Sequence, residues 1–305
     1  MDFEPYLEHL AVNKKFSLQT VEAYRSDLTF FEAFAKQHSI TRLAKVNNVI
    51  IRDYITQMRN MPNPRFGKTG LSDATIARRL AALSGFFDFV RGTSDDKLRN
   101  PVKELSNRWR KNNAPKPVDE VILDTLLGSI TSERDKLLFS LFLSSGVRAS
   151  EMYQLNRDSI RAEQTTREDG TEMLVGVGEV VGKGNKRRTF YVDEATLDLW
   201  AEYVIKRTDE NEALFLSERK VRMSVRAMQD TLATWCKKLR LPHINLHRLR
   251  HSYATRLANA NISSLVLKDL MGHASFTTTA QYFKLTDTTL ARGYFSAMEY
   301  LKEGR

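Results

Sequence analysis

The sequence predicts a mainly α-helical protein with one small antiparallel β-sheet, divided into a helical amino-terminal domain and a mixed α/β second domain. Three observations predict this. Apolar residues recur every three or four positions through most of the chain, the rhythm of one helix face. Residues 173–192 break that rhythm, with β-branched residues on both sides of the turn-forming run Gly182-Lys183-Gly184-Asn185-Lys186. Residues 99–117 carry Arg99, Lys103, Arg108, Arg110, Lys111 and Lys116 against the single acid Glu104, and end in Pro115 and Pro117. Density of one charge sign together with proline reads as a linker. The expected division is 1–105 for the helical domain, 106–117 for the basic linker, 118–287 for the second domain and 288–305 for a tail helix.

In the first domain, Ser17 can cap a helix with Leu18, Val21, Tyr24, Leu28, Phe31 and Phe34 on one stripe. A second helix follows Asn48, with Val49, Ile50, Tyr54, Ile55 and Met58 apolar. Pro62, Pro64, Gly67 and Gly70 mark a loop. Ser72 starts a third helix on Ile76, Leu80, Leu83, Phe87 and Val90, with Arg78 and Arg79 off that stripe. These two can meet phosphates, but a solvated outer face is the expected reading. The second domain opens with helices near 119–130 and 132–145. The latter is apolar almost all round (Leu137, Leu138, Phe139, Leu141, Phe142, Leu143) and is predicted to be buried. A short helix begins at Arg148, strands follow at 173–181 and 187–192, and helices resume at 194–206 and 220–240. The tail is predicted as an amphipathic helix over 288–302, with Leu290, Tyr294, Met298 and Leu301 apolar.

Of 305 residues, 42% are hydrophobic and 28% charged, an ordinary globular composition. The net charge of +10 is not ordinary, and it points to a polyanionic partner, nucleic acid or an anionic membrane surface. No apolar run approaches the roughly 18 residues that cross a membrane. The start, Met1-Asp2-Phe3-Glu4-Pro5, does not read as a signal peptide. A single cysteine, Cys236, excludes an internal disulfide framework and fits a reducing cytosol, with a small buried helix residue as its expected role.

The chemistry concentrates in residues 245–283. His247-Arg248-Leu249-Arg250-His251 is followed by Met271-Gly272-His273 and then Gln281-Tyr282-Phe283. Arginine presents a planar fork that matches two phosphate oxygens, and a phenol becomes a nucleophile when cations favour the phenolate. Attack of a hydroxyl on a phosphodiester needs that nucleophile, donors for the non-bridging oxygens and an acid for the leaving oxygen. Tyr282, the Arg148 and Arg250 pair with His247 and His273, and the hairpin Lys183 fill these parts in turn. Two decoys fail. The run Gly176-Val177-Gly178-Glu179-Val180-Val181-Gly182 lacks the third glycine and the following helix of a dinucleotide site. His247 and His251 share the spacing of a zinc helix, but Arg248 stands where that motif needs Glu, so no metal is expected.

The order and spacing resemble the tyrosine recombinase, or phage integrase, family. Ser145-Gly146-Val147-Arg148-Ala149-Ser150-Glu151 is similar to its first box, Lys183 to its hairpin lysine, and His247 to His251 to its second box. Gly272-His273 and Tyr282, nine residues on, complete the set. Phe283-Lys284 departs from the Thr-His common in Xer-type members, and residues 161–171 are longer and more polar than the usual link between the first two strands. The resemblance implies a helical core-binding domain, a mixed α/β catalytic domain and no nucleotide or metal cofactor. It implies cleavage through a 3′-phosphotyrosyl link and a Holliday junction, in a tetramer on two DNA sites or paired with a second recombinase. Catalytic roles fall on Arg148, Lys183, His247, Arg250, His273 and Tyr282, with Glu151 and His251 supporting behind them. Arg78, Arg79, Arg108, Arg110, Lys111 and Lys186 are the expected DNA contacts. A cytoplasmic, nucleoid-associated enzyme is implied. Type IB topoisomerase activity and a non-catalytic DNA-binding regulator are the alternatives.

Overall fold

Short polar side chains start three of the helices described in the amino-terminal unit, Met1–Asn113. Helix α1 spans Glu4–Val12, and Ser17 accepts from the Thr20 amide to start α2, Leu18–Gln37. Asn47 accepts from the Val49 and Ile50 amides ahead of α3, Asn48–Asn60, and Ser72 caps α4, Asp73–Thr93, through Thr75. Each cap satisfies an amide that the first helical turn leaves unpaired. The apolar stripes then meet in one core that includes Phe31, Phe34, Ile51, Tyr54, Met58, Ile76, Leu83 and Phe87.

The computed structural model describes residues 1–63, 68–94, 97–103, 116–167, 169–182, 186–273, 275–283 and positions 294, 295, 298, 299 and 302. Lys183, Arg108, Arg110, Lys111 and the predicted tail helix as a continuous element lie outside the described residues. Four expectations for the first unit need correction, the first being Leu18, which was placed on the apolar stripe of α2 but is 81% exposed at its first position. Val49 is exposed, because Ile51, Tyr54, Ile55 and Met58 form the buried stripe of α3. The loop expected at 62–70 includes a short antiparallel pair, β1 (Pro62–Asn63) and β2 (Lys68–Thr69). Arg79 is not on a solvated face: its side chain is 14% exposed, pairs with Asp27 of α2 and lies 3.6 Å from the Phe30 ring centre.

The second unit, Ala114–Arg305, is built around a buried helix. After α5 (Glu120–Ser129), α6 (Glu133–Ser145) buries Leu137, Leu138, Phe139, Leu141 and Phe142 completely. Each such side chain contributes about 1.5–3 kcal/mol by leaving water. Asp135 ties α6 to the later helix α9 (Val225–Lys238) by accepting from the indole of Trp235 at 2.9 Å. Helix α7 (Ala149–Gln154) leads to a three-stranded antiparallel sheet in the order β3-β4-β5. Its strands are Ile160–Thr166, Glu172–Val181 and Arg187–Val192, with Ile160 opposite Gly178 and Gly178 opposite Phe190. Helices α8 (Glu194–Ile205), α10 (Leu246–Asn259), α11 (Ser264–Met271) and α12 (Phe276–Ala280) complete the unit, and α6 packs on α8, α10 and β5.

Two corrections follow here. Most of residues 161–171, expected as a link, belongs to strand β3. Only Ile160 in that strand is buried, so the strand lacks the alternation that would have revealed it. The helix expected from 220 starts at Val225 behind its cap Ser224, and Val221 is exposed. Arg222 instead folds back to donate to the Tyr153 and Leu155 carbonyls at 2.9 Å. Cys236 is buried on α9, as expected. No described helix is long and apolar enough to cross a membrane.

Candidate active site

Helix α10 carries three of the singled-out residues because their spacing puts them on one face. Asn245 caps it through the Arg248 amide, and His247, Arg250 and His251 then follow at i, i+3 and i+4. Leu246, Leu249 and Tyr253 bury the helix, so Arg250 is carried inward with them and is 3% exposed. Its guanidinium donates to the carbonyls of Gly146 and Met271. Burial pulls the Arg250 pKa down to about 9, helped by the charges of Arg148 and Arg188 and opposed by Glu151. It therefore stays charged at neutral pH.

Helix α11 ends at Gly272, in the left-handed conformation at φ +58°. A Cβ there would lie 2.7 Å from the Arg188 side chain, so glycine serves both the turn and the close approach. The last carbonyls of a helix have no partner within it and carry its negative dipole end. Three arginines occupy them. Arg188 donates to Leu270 at 2.6 Å, Arg250 to Met271 and Arg148 to Gly272 at 2.7 Å.

Glu151, 1% exposed, joins the three. It accepts from the Arg148 guanidinium at 2.6 Å, from the Arg148 backbone N–H at 2.8 Å and from Arg188 at 2.7 Å, and lies 3.8 Å from Arg250. Burial alone would raise the Glu151 carboxyl. The Arg148 amide and the charges of Arg188 and Arg148 outweigh burial and hold it below the usual range. The result is a fixed group of positive charge around one carboxylate.

The aromatic half of the site follows the Gly272 turn. His273 shares a 2.9 Å hydrogen bond with the buried Thr279 of α12, and Tyr282 follows one turn later. The Tyr282 ring lies parallel to His273, with centres 6.4 Å apart, and its hydroxyl is 3.1 Å from His251 Nδ1. His251 was expected to act from behind other residues; it touches the Tyr282 hydroxyl directly. Burial moves both imidazoles to pKa values of about 4, with His247 and Arg248 adding to the shift at His251, and Arg250, Arg148, Arg188 and His247 at His273. Both are therefore neutral at pH 7. Burial also pushes the Tyr282 phenol up, against the pull of Arg250 and a Gln281 contact.

The structure thus brings together Arg148, Glu151, Arg250, His251, His273 and Tyr282. His247 is exposed on the same helix face; loss of solvation, with Arg250 and Arg148, lowers its pKa. Lys186 is exposed beside the hairpin turn, where its carbonyl accepts from the Gly182 amide at 2.8 Å. Arg78 is half exposed and donates to Asp27 at 2.6 Å, while Arg79 is committed inside its own unit, which argues against a phosphate contact. Arg188 was missed. Directly after Lys186 and Arg187 it reads as one more solvent-facing cation, and its partners lie 37 and 82 residues away along the chain.

A fold with this arginine, histidine and tyrosine arrangement defines a DNA strand-transfer class. The chain belongs to the phage integrase family, whose description matches residues 118–289, with the family's amino-terminal SAM-like domain matching residues 3–92. It is a tyrosine recombinase, an enzyme that cleaves and rejoins DNA. It is 29% identical to the tyrosine recombinase XerC of Escherichia coli O157:H7 (strain EC4115 / EHEC) over 313 aligned positions, covering 100% of this chain and 98% of the relative. XerC of Shigella flexneri is 28% identical with the same coverage. Among solved structures, XerH recombinase bound to its difH substrate before cleavage has a TM-score of 0.66 at 20% identity, covering 94% of this chain and 83% of that one. The Tn1549 transposon integrase with transposon right end DNA has a TM-score of 0.72 at 16% identity, covering 96% and 98%.

Proposed function

We propose that Tyr282 is the nucleophile of this site-specific recombinase and that Arg148 and Arg250 are its phosphate clamp. In the attack, a bond forms between the Tyr282 oxygen and a DNA phosphorus while the bond from phosphorus to the 5′-oxygen breaks. The product is a 3′-phosphotyrosyl link. With its own proton on Nε2, neutral His251 can accept the tyrosine proton. Lys183 is assigned the proton donated to the departing 5′-oxygen. His247 and His273 add donors to the non-bridging oxygens, and Glu151 holds Arg148. The bond energy stays in the covalent link, and the free 5′-hydroxyl of one strand resolves the phosphotyrosine of the other. The donor set needs no metal to balance phosphate charge, because arginines supply it.

The observation that carries this reading is the Tyr282 hydroxyl, bonded to His251 and reached by the charge of Arg250, which lies beside the Glu151 carboxylate that pairs with Arg148. Single-strand-nicked DNA traps the covalent intermediate, so the test is direct. Wild-type protein should form a denaturation-resistant adduct that maps to Tyr282, and Tyr282→Phe should bind DNA but form none. An adduct persisting in Tyr282→Phe overturns the assignment.

Full-length similarity to XerC supports Xer-type exchange between two duplex sites, with residues 1–105 gripping DNA, 118–287 catalysing and 288–305 linking subunits of a tetramer or a pair of related recombinases. Arg78, Arg108, Arg110, Lys111 and Lys186 are its proposed phosphate contacts, in a cytoplasmic, nucleoid-associated enzyme. Topoisomerase-like relaxation without joined products, or binding without adducts, would support the alternatives. Neither has an observation in its favour.

A further inference from the structure

Beyond the residues to which the reaction has been assigned, one charged side chain at the site has no role. Arg188 projects from β5 with 9% of its side chain exposed. It reaches two elements distant in the chain: the Glu151 carboxylate on α7 at 2.7 Å and the Leu270 carbonyl at the end of α11 at 2.6 Å. It does not share the exposure of Arg148, whose side chain is 31% exposed. A buried guanidinium with both terminal nitrogens engaged is suited to holding protein groups rather than meeting DNA.

Glu151 has two oxygens and four claims on them. Oε1 takes the Arg148 guanidinium, and Oε2 takes the Arg148 amide and Arg188, with Arg250 at 3.8 Å. Without Arg188, the carboxylate loses a strong charge-assisted partner and is free to turn toward Arg250. Arg148 would then lose one of the two bonds that fix its guanidinium, keeping only the one to the Gly272 carbonyl. At the other end, Arg188 holds the carbonyl three residues before His273. One side chain therefore ties the carboxylate that aims Arg148 to the end of helix α11.

We propose that Arg188 is a positioning residue for DNA cleavage: by bridging Glu151 and the Leu270 carbonyl, it fixes the carboxylate that aims Arg148. The proposal rests on the assignment of Arg148 to the phosphate. Its cost in rate should resemble that of other supporting contacts behind a reacting group, about tenfold to a hundredfold.

The test is a double-mutant cycle on single-turnover cleavage of nicked DNA, with DNA affinity and thermal melting measured on every variant. Arg188→Met should slow cleavage by about tenfold to a hundredfold, with DNA affinity unchanged. Arg188→Lys, which keeps the charge and can reach one partner, should recover part of the loss. In the Arg148→Ala background, Arg188→Met should cost little more, because the group it aims is already gone. Equal fold losses from Arg188→Met in both backgrounds, or no loss in wild type, overturn the proposal. If Arg148→Ala itself cleaves normally, the assignment of Arg148 fails instead, and the two failures are told apart. A variant that melts far lower yet shows no rate loss per folded molecule also counts against Arg188 as a positioning residue.

Discussion

Two buried carboxylates, Asp27 in the first unit and Glu151 in the second, are each 1% exposed by side chain and each paired with arginines, yet they behave oppositely. Burial dominates at Asp27 and raises its carboxyl above the ordinary range, although Arg78 and Arg79 pull it down. At Glu151 the pull of the amide and arginines wins. The difference lies in how complete the hydrogen bonding is. Asp27 has one good bond, from Arg78 at 2.6 Å, while Arg79 stands 3.5 Å away against the Phe30 ring. Glu151 has three bonds of 2.6–2.8 Å, and its arginines also find helix-end carbonyls. The same residue types thus make a packing contact between α2 and α4 in one place and an organised charge site in the other.

The largest expected effect breaks the first cluster. Asp27→Ala leaves Arg79 partly buried without its carboxylate and should destabilise the protein by about 3 kcal/mol, as seen when one partner of a buried pair is removed. Denaturant unfolding measures it. Cleavage per folded, DNA-bound molecule should stay at the wild-type rate, and a catalytic loss with Asp27→Ala would erase the distinction drawn between the clusters.

Glu151→Gln should do the reverse. An amide keeps the shape but removes the charge that holds Arg148 and Arg188, so single-turnover cleavage should fall by about tenfold to a hundredfold. DNA affinity should hardly change.

Acid titration sharpens the contrast with smaller and more gradual effects. His251 and His273, at about 4 in the folded state against 6.5 unfolded, contribute stability that is complete above pH 6.5 and is lost as pH falls toward 4. Glu151, lowered from 4.5, loses its contribution as pH drops below that value. Asp27, raised from 3.8, goes the other way: the folded state binds the extra proton, so its cluster gains stability as pH falls through its folded pKa. Hydrogen exchange resolved along the chain should show the second unit loosening first on acidification. Earlier loosening around α2 and α4 would contradict the pairings described.

Much of this was legible because it is local. Ser17 and Ser72 announce their helices within three residues, and the all-round apolar face of α6 could only be buried. The order of the candidate site residues stood out because these residue types are chemically rare in combination. What sequence could not show depends on distant partners. Arg188 looks like any strand arginine until Leu270 and Glu151 arrive beside it. Arg79 sits at the edge of its stripe, and only Asp27 and Phe30 of a different helix turn it inward. Strand β3 is held by edge pairing with β4 rather than by burial, and so carries no apolar signature.

In the proposed reaction, the arginines around Glu151 stabilise charge on a phosphate attacked by Tyr282. The most direct measurement compares wild-type and Arg148→Ala cleavage on DNA with a normal scissile phosphate and on DNA carrying a neutral methylphosphonate there. Loss of Arg148 should slow cleavage of the normal phosphate by about a hundredfold to a thousandfold, the cost of removing one charge-stabilising donor. On the methylphosphonate, where the charge to be balanced is gone, most of that defect should vanish. Equal defects on both substrates would contradict the claim and reduce Arg148 to a structural contact.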